Sequence, residues 1–181
     1  GRGPEQQHLG GTRSQLPDPT IVTPSGAHWL VTVNHEAGRK VVDPDSARSI
    51  ARAYIGIVTY RDMAECLGWP EKELGYADII ELRADPRGWE KYDCAKRSWG
   101  KRPLVAYTDP RTSSTGRAVL IALYAIAAGK PPQDLTVEDV DDPEVVGYVK
   151  GFQRLIDHYI IGTTVLNTKI YQGPLYGHFF L

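Results

Sequence analysis

The chain has 181 residues, 41% of them hydrophobic, and 21 Lys and Arg against 22 Asp and Glu give a formal net charge of −1. That length fits one large domain or two small lobes of a globular protein, and the balanced charge, with no same-sign block, argues against the basic stripe that nucleic-acid binding requires. The longest apolar run, 118–128, is too short to cross a bilayer, and no signal-like start opens the chain.

Residues 1–19 are rich in Gly, Pro, Gln and Arg and carry hardly an apolar side chain, so they read as a flexible tail or linker that cannot bury enough surface to offset ordering. From Thr20 the character changes. Ile21-Val22 and Trp29-Leu30-Val31-Thr32-Val33 are β-branched or aromatic runs separated by Thr23-Pro24-Ser25-Gly26, which predicts short strands, or a strand and a helix start. Residues 50–59 read as an extended crossing segment. Residues 59–67 predict a helix stopped by Gly68 and Pro70, and residues 76–83 a second, ended before Asp85-Pro86. Leu104-Val105-Ala106-Tyr107 predicts a buried strand that delivers the chain to Asp109-Pro110-Arg111-Thr112-Ser113-Ser114-Thr115-Gly116. A helix apolar on nearly every side, and therefore expected to be buried, follows to Ala128. Asp142-Pro143 opens an amphipathic helix with Val145, Val149, Phe152, Ile156 and Tyr159 on one face, and with Glu144, Lys150, Arg154 and Asp157 on a solvated one. The acidic residues 138–142 lack the spacing and central Gly of a calcium loop and fit helix-start acidity instead. Residues 163–170 read as a strand, and the chain ends on the apolar run Phe179-Phe180-Leu181, a strand stopping without turn or polar tail as a truncated chain would.

The hydroxyl-rich loop is the most informative chemistry. A helix start leaves backbone N–H groups without intrahelical partners at the positive end of the macrodipole, and small hydroxyl residues and Gly let an anion or polar ligand oxygen approach them. The same residues are favoured helix caps, so capping alone competes with a ligand-facing loop. Strand, polar loop and helix in that order is the arrangement in which α/β sheets bind ligands at strand carboxyl ends.

Signatures of common enzymes are absent: no Gly-x-Ser-x-Gly elbow, His-Glu-x-x-His pair, P-loop lysine or dinucleotide glycine fingerprint occurs. A hydrolase using Ser113 or Ser114 lacks an assignable base. The five histidines are scattered and read as surface or hydrogen-bonded core residues. Cys66 and Cys94 lack nearby His at ligand spacing, which excludes the usual structural zinc site; they form either a disulfide, in an oxidising compartment, or two buried thiols. No metal or cofactor is expected. Trp69 and Trp89 are expected in the core, and Trp29, beside His28 and the Ser25-Gly26 turn, near a ligand.

Several motifs, in order and spacing, resemble bacterial extracellular solute-binding proteins of the type II periplasmic-binding-protein fold, in the branch often fused to a von Willebrand factor A domain. They are Tyr60-Arg61-Asp62-Met63-Ala64-Glu65-Cys66-Leu67-Gly68-Trp69-Pro70, Tyr76-Ala77-Asp78-Ile79-Ile80, Gly88-Trp89, and Thr108-Asp109-Pro110 with the hydroxyl run. Leu135-Thr136-Val137-Glu138-Asp139-Val140, with the helix to His158-Tyr159, completes the set. The resemblance spans roughly residues 21–181 and implies an α/β fold, a mixed sheet flanked by helices, in which two lobes close over a ligand. Residues 20–49 would then be part of the first lobe, and residues 50–181 the second lobe with its hinge-crossing segments. A full two-lobe member has a longer first lobe and a returning segment, so the fold is expected to be incomplete relative to it.

The expected function is non-catalytic capture of a small anionic or polar solute in an interlobe cleft. Thr112, Ser113, Ser114, Thr115 and Gly116 would bind, with Ser25, Gly26 and Trp29 facing the cleft and Arg61 as a charged clamp. The resemblance implies an extracellular, periplasmic or cell-surface location and, as partners besides the solute, a membrane transporter of the ABC type or an attached von Willebrand factor A domain, without insertion into the membrane. The alternative is a degenerate binding fold acting as a protein-interaction or sensor module, attached to an adhesion domain.

Overall fold

The computed structural model describes residues 21–181; the expected tail at 1–19, with His8, lies outside the described residues. Two compact units divide the chain, Gly1–Arg48 and Ser49–Leu181. In the first, α1 spans His28–Ala37 and ends on Gly38 in the left-handed conformation, φ 62°. Of the two readings open for residues 21–33, the helix start is realised at Trp29–Val33, whereas Ile21-Val22 forms no strand. The β-branched residues Val31 and Val33 stay exposed, Leu30 is buried, and the Thr32 hydroxyl bonds back to the His28 carbonyl at 3.0 Å, a helical i to i−4 contact. Asn34 then pins the returning chain: its Oδ1 accepts from the amides of Val41 and Val42, and its Nδ2 donates to the Val42 carbonyl.

The second unit is α/β. Its elements are β1 (Val58–Thr59), α2 (Arg61–Cys66), α3 (Tyr76–Ala84), β2 (Val105–Thr108), α4 (Ser114–Ala128), α5 (Val137–Asp141), α6 (Pro143–Gln153), β3 (His158–Ile160), α7 (Thr163–Ile170) and β4 (Phe179–Phe180). Residues 50–57, read as extended, carry no helix or strand and lead into β1. The strands form one mixed sheet in the order β1-β4-β2-β3, with β2 parallel to both β3 and β4, and β1 antiparallel to β4.

Alternation along β2 explains the layers, because successive side chains point to opposite faces. Val105 and Tyr107 join Val119 and Leu123 of α4, Val149 and Phe152 of α6, and Ile79 and Leu82 of α3 in the larger core. Ala106 packs with Ile160, Phe180 and Leu166 of α7 on the other face. The sheet is thus covered on both sides, as parallel strands require.

Four further readings are corrected by the packing. Residues 163–170 are helix α7 rather than a strand: Gly162 precedes it in extended conformation, and Leu166 is its buried contact. The amphipathic helix ends at Gln153, so Tyr159 is on β3 and half exposed, while Asp157, expected in solvent, is half-buried with its side chain only 10% exposed. Helix α4 is not buried all round, since Ile121 and Ile126 are exposed. Trp69 is 41% exposed, whereas Trp89 and Trp99 are core residues.

Cys66 and Cys94 form a disulfide that ties the end of α2 to the loop before the Arg97–Trp99 turn. Asp62 and Lys96 add an ion pair across the same junction. At the amino end of β2 and β3, Asp157 accepts from the Val105 amide at 2.8 Å and pairs with Arg102 at 2.7 Å and Arg83 at 3.5 Å. Desolvation lowers the pKa of Arg83, against the Asp157 charge that raises it. His178 is fully buried, and its Nδ1 accepts from the Trp89 indole N–H at 2.8 Å and the Leu104 amide at 3.0 Å, a hydrogen-bonded core histidine. Burial pushes its pKa down to about 4.

Candidate functional site

Two helices begin at the carboxyl ends of the adjacent parallel strands β2 and β3, and they leave on opposite faces of the sheet. Helix α4 starts after β2 and packs into the larger core; α7 starts after β3 and packs against Ala106 and Ile160. Divergence of neighbouring connections is the feature that opens a crevice outside strand ends in open α/β sheets.

The loop between β2 and α4 is built by its own hydrogen bonds. Asp109 extends the ladder by donating its amide to the Ile160 carbonyl at 2.7 Å, and its own carbonyl accepts from the amides of Thr112 and Ser113. Its carboxylate takes the Arg111 amide and guanidinium, which hold its pKa below the ordinary value. The pair leaves little net charge beside the loop. Ser113, buried, is the N-cap of α4 and accepts from the Gly116 amide at 3.3 Å. Gly116 is where α4 meets the strand: a Cβ there would lie 2.1 Å from the Thr108 carbonyl oxygen, and backbone cannot yield. Its carbonyl accepts the buried Tyr107 hydroxyl at 2.5 Å, and burial raises the pKa of that phenol. Only glycine fits this approach.

The remaining hydroxyls face the neighbouring connection. Thr112 donates to the Ile161 carbonyl at 2.7 Å, and the hydroxyls of Thr115 and Thr163 meet at 3.0 Å. Ser114 and Thr115 are half-buried, and Thr112 and Thr163 are exposed, so the rim is reachable from solvent. Thr163 was missed by sequence reading because residues 163–170 looked like a strand; Gly162-Thr163-Thr164 before an apolar residue is the signal that marks its helix start.

The expected site residues do not all come together. Register pairs Thr59 with Phe179 and Phe179 with Val105, so the chain leaving β1 through Arg61 runs to the amino end of the parallel strands, opposite the hydroxyl loop. Arg61 therefore does not clamp a ligand at the loop within this unit. Its guanidinium lies 5.5 Å over the Trp69 ring instead. Ser25, Gly26 and Trp29 belong to the other unit, where the Gly26 carbonyl accepts from the Trp29 amide at 3.1 Å as α1 begins. Among the described residues, no group of three or more His, Cys, Asp or Glu side chains is arranged to hold a metal, and no helix is long and apolar enough to cross a membrane.

Comparison with family models, curated proteins and solved structures finds no match.

Proposed function

We propose that the chain is a non-catalytic solute-binding domain, and that its Ser49–Leu181 unit receives a small anionic or polar solute at the carboxyl ends of β2 and β3. The observation that carries the reading is the meeting of two helix starts there, with the Thr115 and Thr163 hydroxyls 3.0 Å apart on a solvent-reachable rim. Both helix starts aim partial positive charge at the same place, and the surrounding hydroxyls can donate to or accept from a solute oxygen. The motif resemblance to type II periplasmic-binding-protein domains, in the branch associated with von Willebrand factor A domains, supports the same reading. The Cys66–Cys94 disulfide supports an extracellular or periplasmic setting. In that setting a membrane transporter or an attached adhesion domain would be the partner.

One observation favours a second reading. Ser113 serves as a cap, and Thr112 and Thr115 bond within the protein, so much of the hydroxyl capacity of the loop is already engaged. A degenerate binding fold acting as a protein-interaction or sensor module would close its crevice in this way.

Thermal melting of the chain with inorganic phosphate, acetate and glucose, each in large excess, separates the two. Capture predicts that at least one solute stabilises the fold, by about 2.7 kcal/mol at a hundredfold excess over Kd. A Thr115→Val/Thr163→Val variant would lose most of that gain while keeping its ligand-free melting temperature within a few degrees. No shift with any of the three, or equal shifts in parent and variant, would remove the crevice from the proposal.

A further inference from the structure

We infer that the groove between β1, α2 and the start of α3 is a binding site for a small aromatic carboxylate. It encloses about 670 Å³ and lies beside Arg61, away from the hydroxyl loop, so it neither needs nor tests solute capture there. That volume is in the range of small-molecule sites, roughly 300 to 1,000 Å³.

Its floor is apolar: Phe179 and Ile79, each 2% exposed, with Leu67 and Leu74. At the mouth stands Trp69, the one tryptophan of the unit left with a large exposed fraction, 41%. An indole beside an apolar floor offers a flat ring both area and a π face. The mouth also carries Arg61, whose guanidinium lies 5.5 Å over that indole. A cation–π contact uses the charge of the guanidinium but leaves its N–H fork for a carboxylate, which can accept two parallel bonds.

Three other polar groups of the lining, Lys72, Asp78 and Thr59, are already engaged. Lys72 is bonded to Asp78, Asp78 also accepts the Gly75 amide at 2.7 Å, and the Thr59 hydroxyl donates to the His178 carbonyl at 2.7 Å. Glu73 brings a carboxylate to the rim, which disfavours a ligand with two anionic groups. Arg61 differs: its side chain is 74% exposed, and its ion pair with Glu65 is 3.8 Å long, beyond hydrogen-bond reach. Of the two cations lining the groove, it is the one with a loose pairing. Ring and carboxylate together match what the groove presents; a neutral ring would forgo the fork, and an amine would meet Arg61 unfavourably.

The test is a titration of the full chain with indole-3-acetate, followed by the side-chain N–H signal of Trp69 in an NMR spectrum. Indole-3-acetamide serves as the uncharged control. The expected result is a saturable shift of the Trp69 signal, with affinity at least about fivefold weaker for the amide and at least about fivefold weaker in Arg61→Gln, an exposed position whose change leaves the fold intact. Trp69→Leu, read by calorimetry, is expected to weaken binding to a similar degree. Absence of saturation up to about 10 mM, equal affinity for acid and amide, or equal affinity in Arg61→Gln and the parent would each overturn the assignment. Because none of these three outcomes uses the Trp69 variant, a folding defect in that variant would not rescue the proposal.

Discussion

Reducing the Cys66–Cys94 bond tests how the second unit is held together, and the size of the effect follows from chain statistics. The two cysteines are 28 residues apart in sequence, and the loop they close contains α3, the Gly88–Lys91 turn and the core residues Ile79, Leu82 and Trp89. Cross-linking a loop of that length removes about 12 cal/mol/K of entropy from the unfolded chain, or about 3.6 kcal/mol at 25 °C. A unit of roughly 130 residues unfolds with about 0.27 kcal/mol/K, so removal of the bond should lower its melting temperature by roughly 10 to 13 °C. The folded state should change little, because Met63 and Leu67 anchor α2 in the core and the Asp62–Lys96 pair bridges the same junction. The assay is melting of the chain followed by circular dichroism, with and without a phosphine reductant, beside a Cys66→Ala/Cys94→Ala variant melted under both conditions. The variant should match the reduced parent and be indifferent to reductant, and the untreated, denatured parent should show no free thiol. A drop of less than about 3 °C would refute the reasoning, by showing that the 28-residue loop is already restricted in the unfolded chain.

Three further outcomes follow from the titration of His178 and the ion pairs of Asp157. His178 is held neutral, with its pKa lowered to about 4 in the fold against 6.5 when unfolded, so its contribution is fully present above pH 6.5 and is lost as pH falls toward 4. Between pH 7 and 5 that linkage removes about 2 kcal/mol, and urea titrations at the two pH values should show the loss shrinking in His178→Gln, which cannot titrate. Asp157→Ala leaves Arg83, whose side chain is 7% exposed, without its carboxylate, and should cost about 3 to 5 kcal/mol in the same assay. Arg102→Ala, at a side chain 64% exposed, should cost no more than about 1 kcal/mol.

Legibility in the sequence followed how local each determinant was. Helix α2 could be read because Tyr60-Arg61-Asp62 begins it and Gly68 and Pro70 stop it, and β2 because four apolar residues lie between Pro103 and Asp109. Ser113 as a cap was one of two readings of the hydroxyl run, and the bond from the Gly116 amide realises it. Segments whose conformation is set by tertiary contact were misread or left open. Val165 favours a strand by propensity, yet the burial of Leu166 decides α7 as helix; at Val31 and Val33, where strand and helix start were both open, the burial of Leu30 in α1 decides for the helix. Asp157 looked solvent-facing because the helix was continued past Gln153; once the chain turns into β3, the same carboxylate meets Arg83 from a helix far away in sequence. The grouping of Arg61 with the hydroxyl loop failed for a related reason, since antiparallel pairing of β1 with β4 is a register fact that no local pattern encodes.

The two ends of the β2–β3 pair differ in chemistry, and that difference supports the proposal of capture at one of them. At the amino end, the Asp157 carboxylate closes the gap between β2 and β3 by taking the Val105 amide and two guanidinium groups, and little capacity is left for a guest. At the carboxyl end, the same two strands part into helices on opposite faces, and what spans the gap is a pair of neutral hydroxyls rather than an ion pair. A neutral hydroxyl contact in contact with water is worth about 1 kcal/mol or less, whereas separating a buried ion pair costs several. A solute oxygen able to bond both Thr115 and Thr163 can therefore displace their mutual contact at small cost, while nothing comparable can enter beside Asp157.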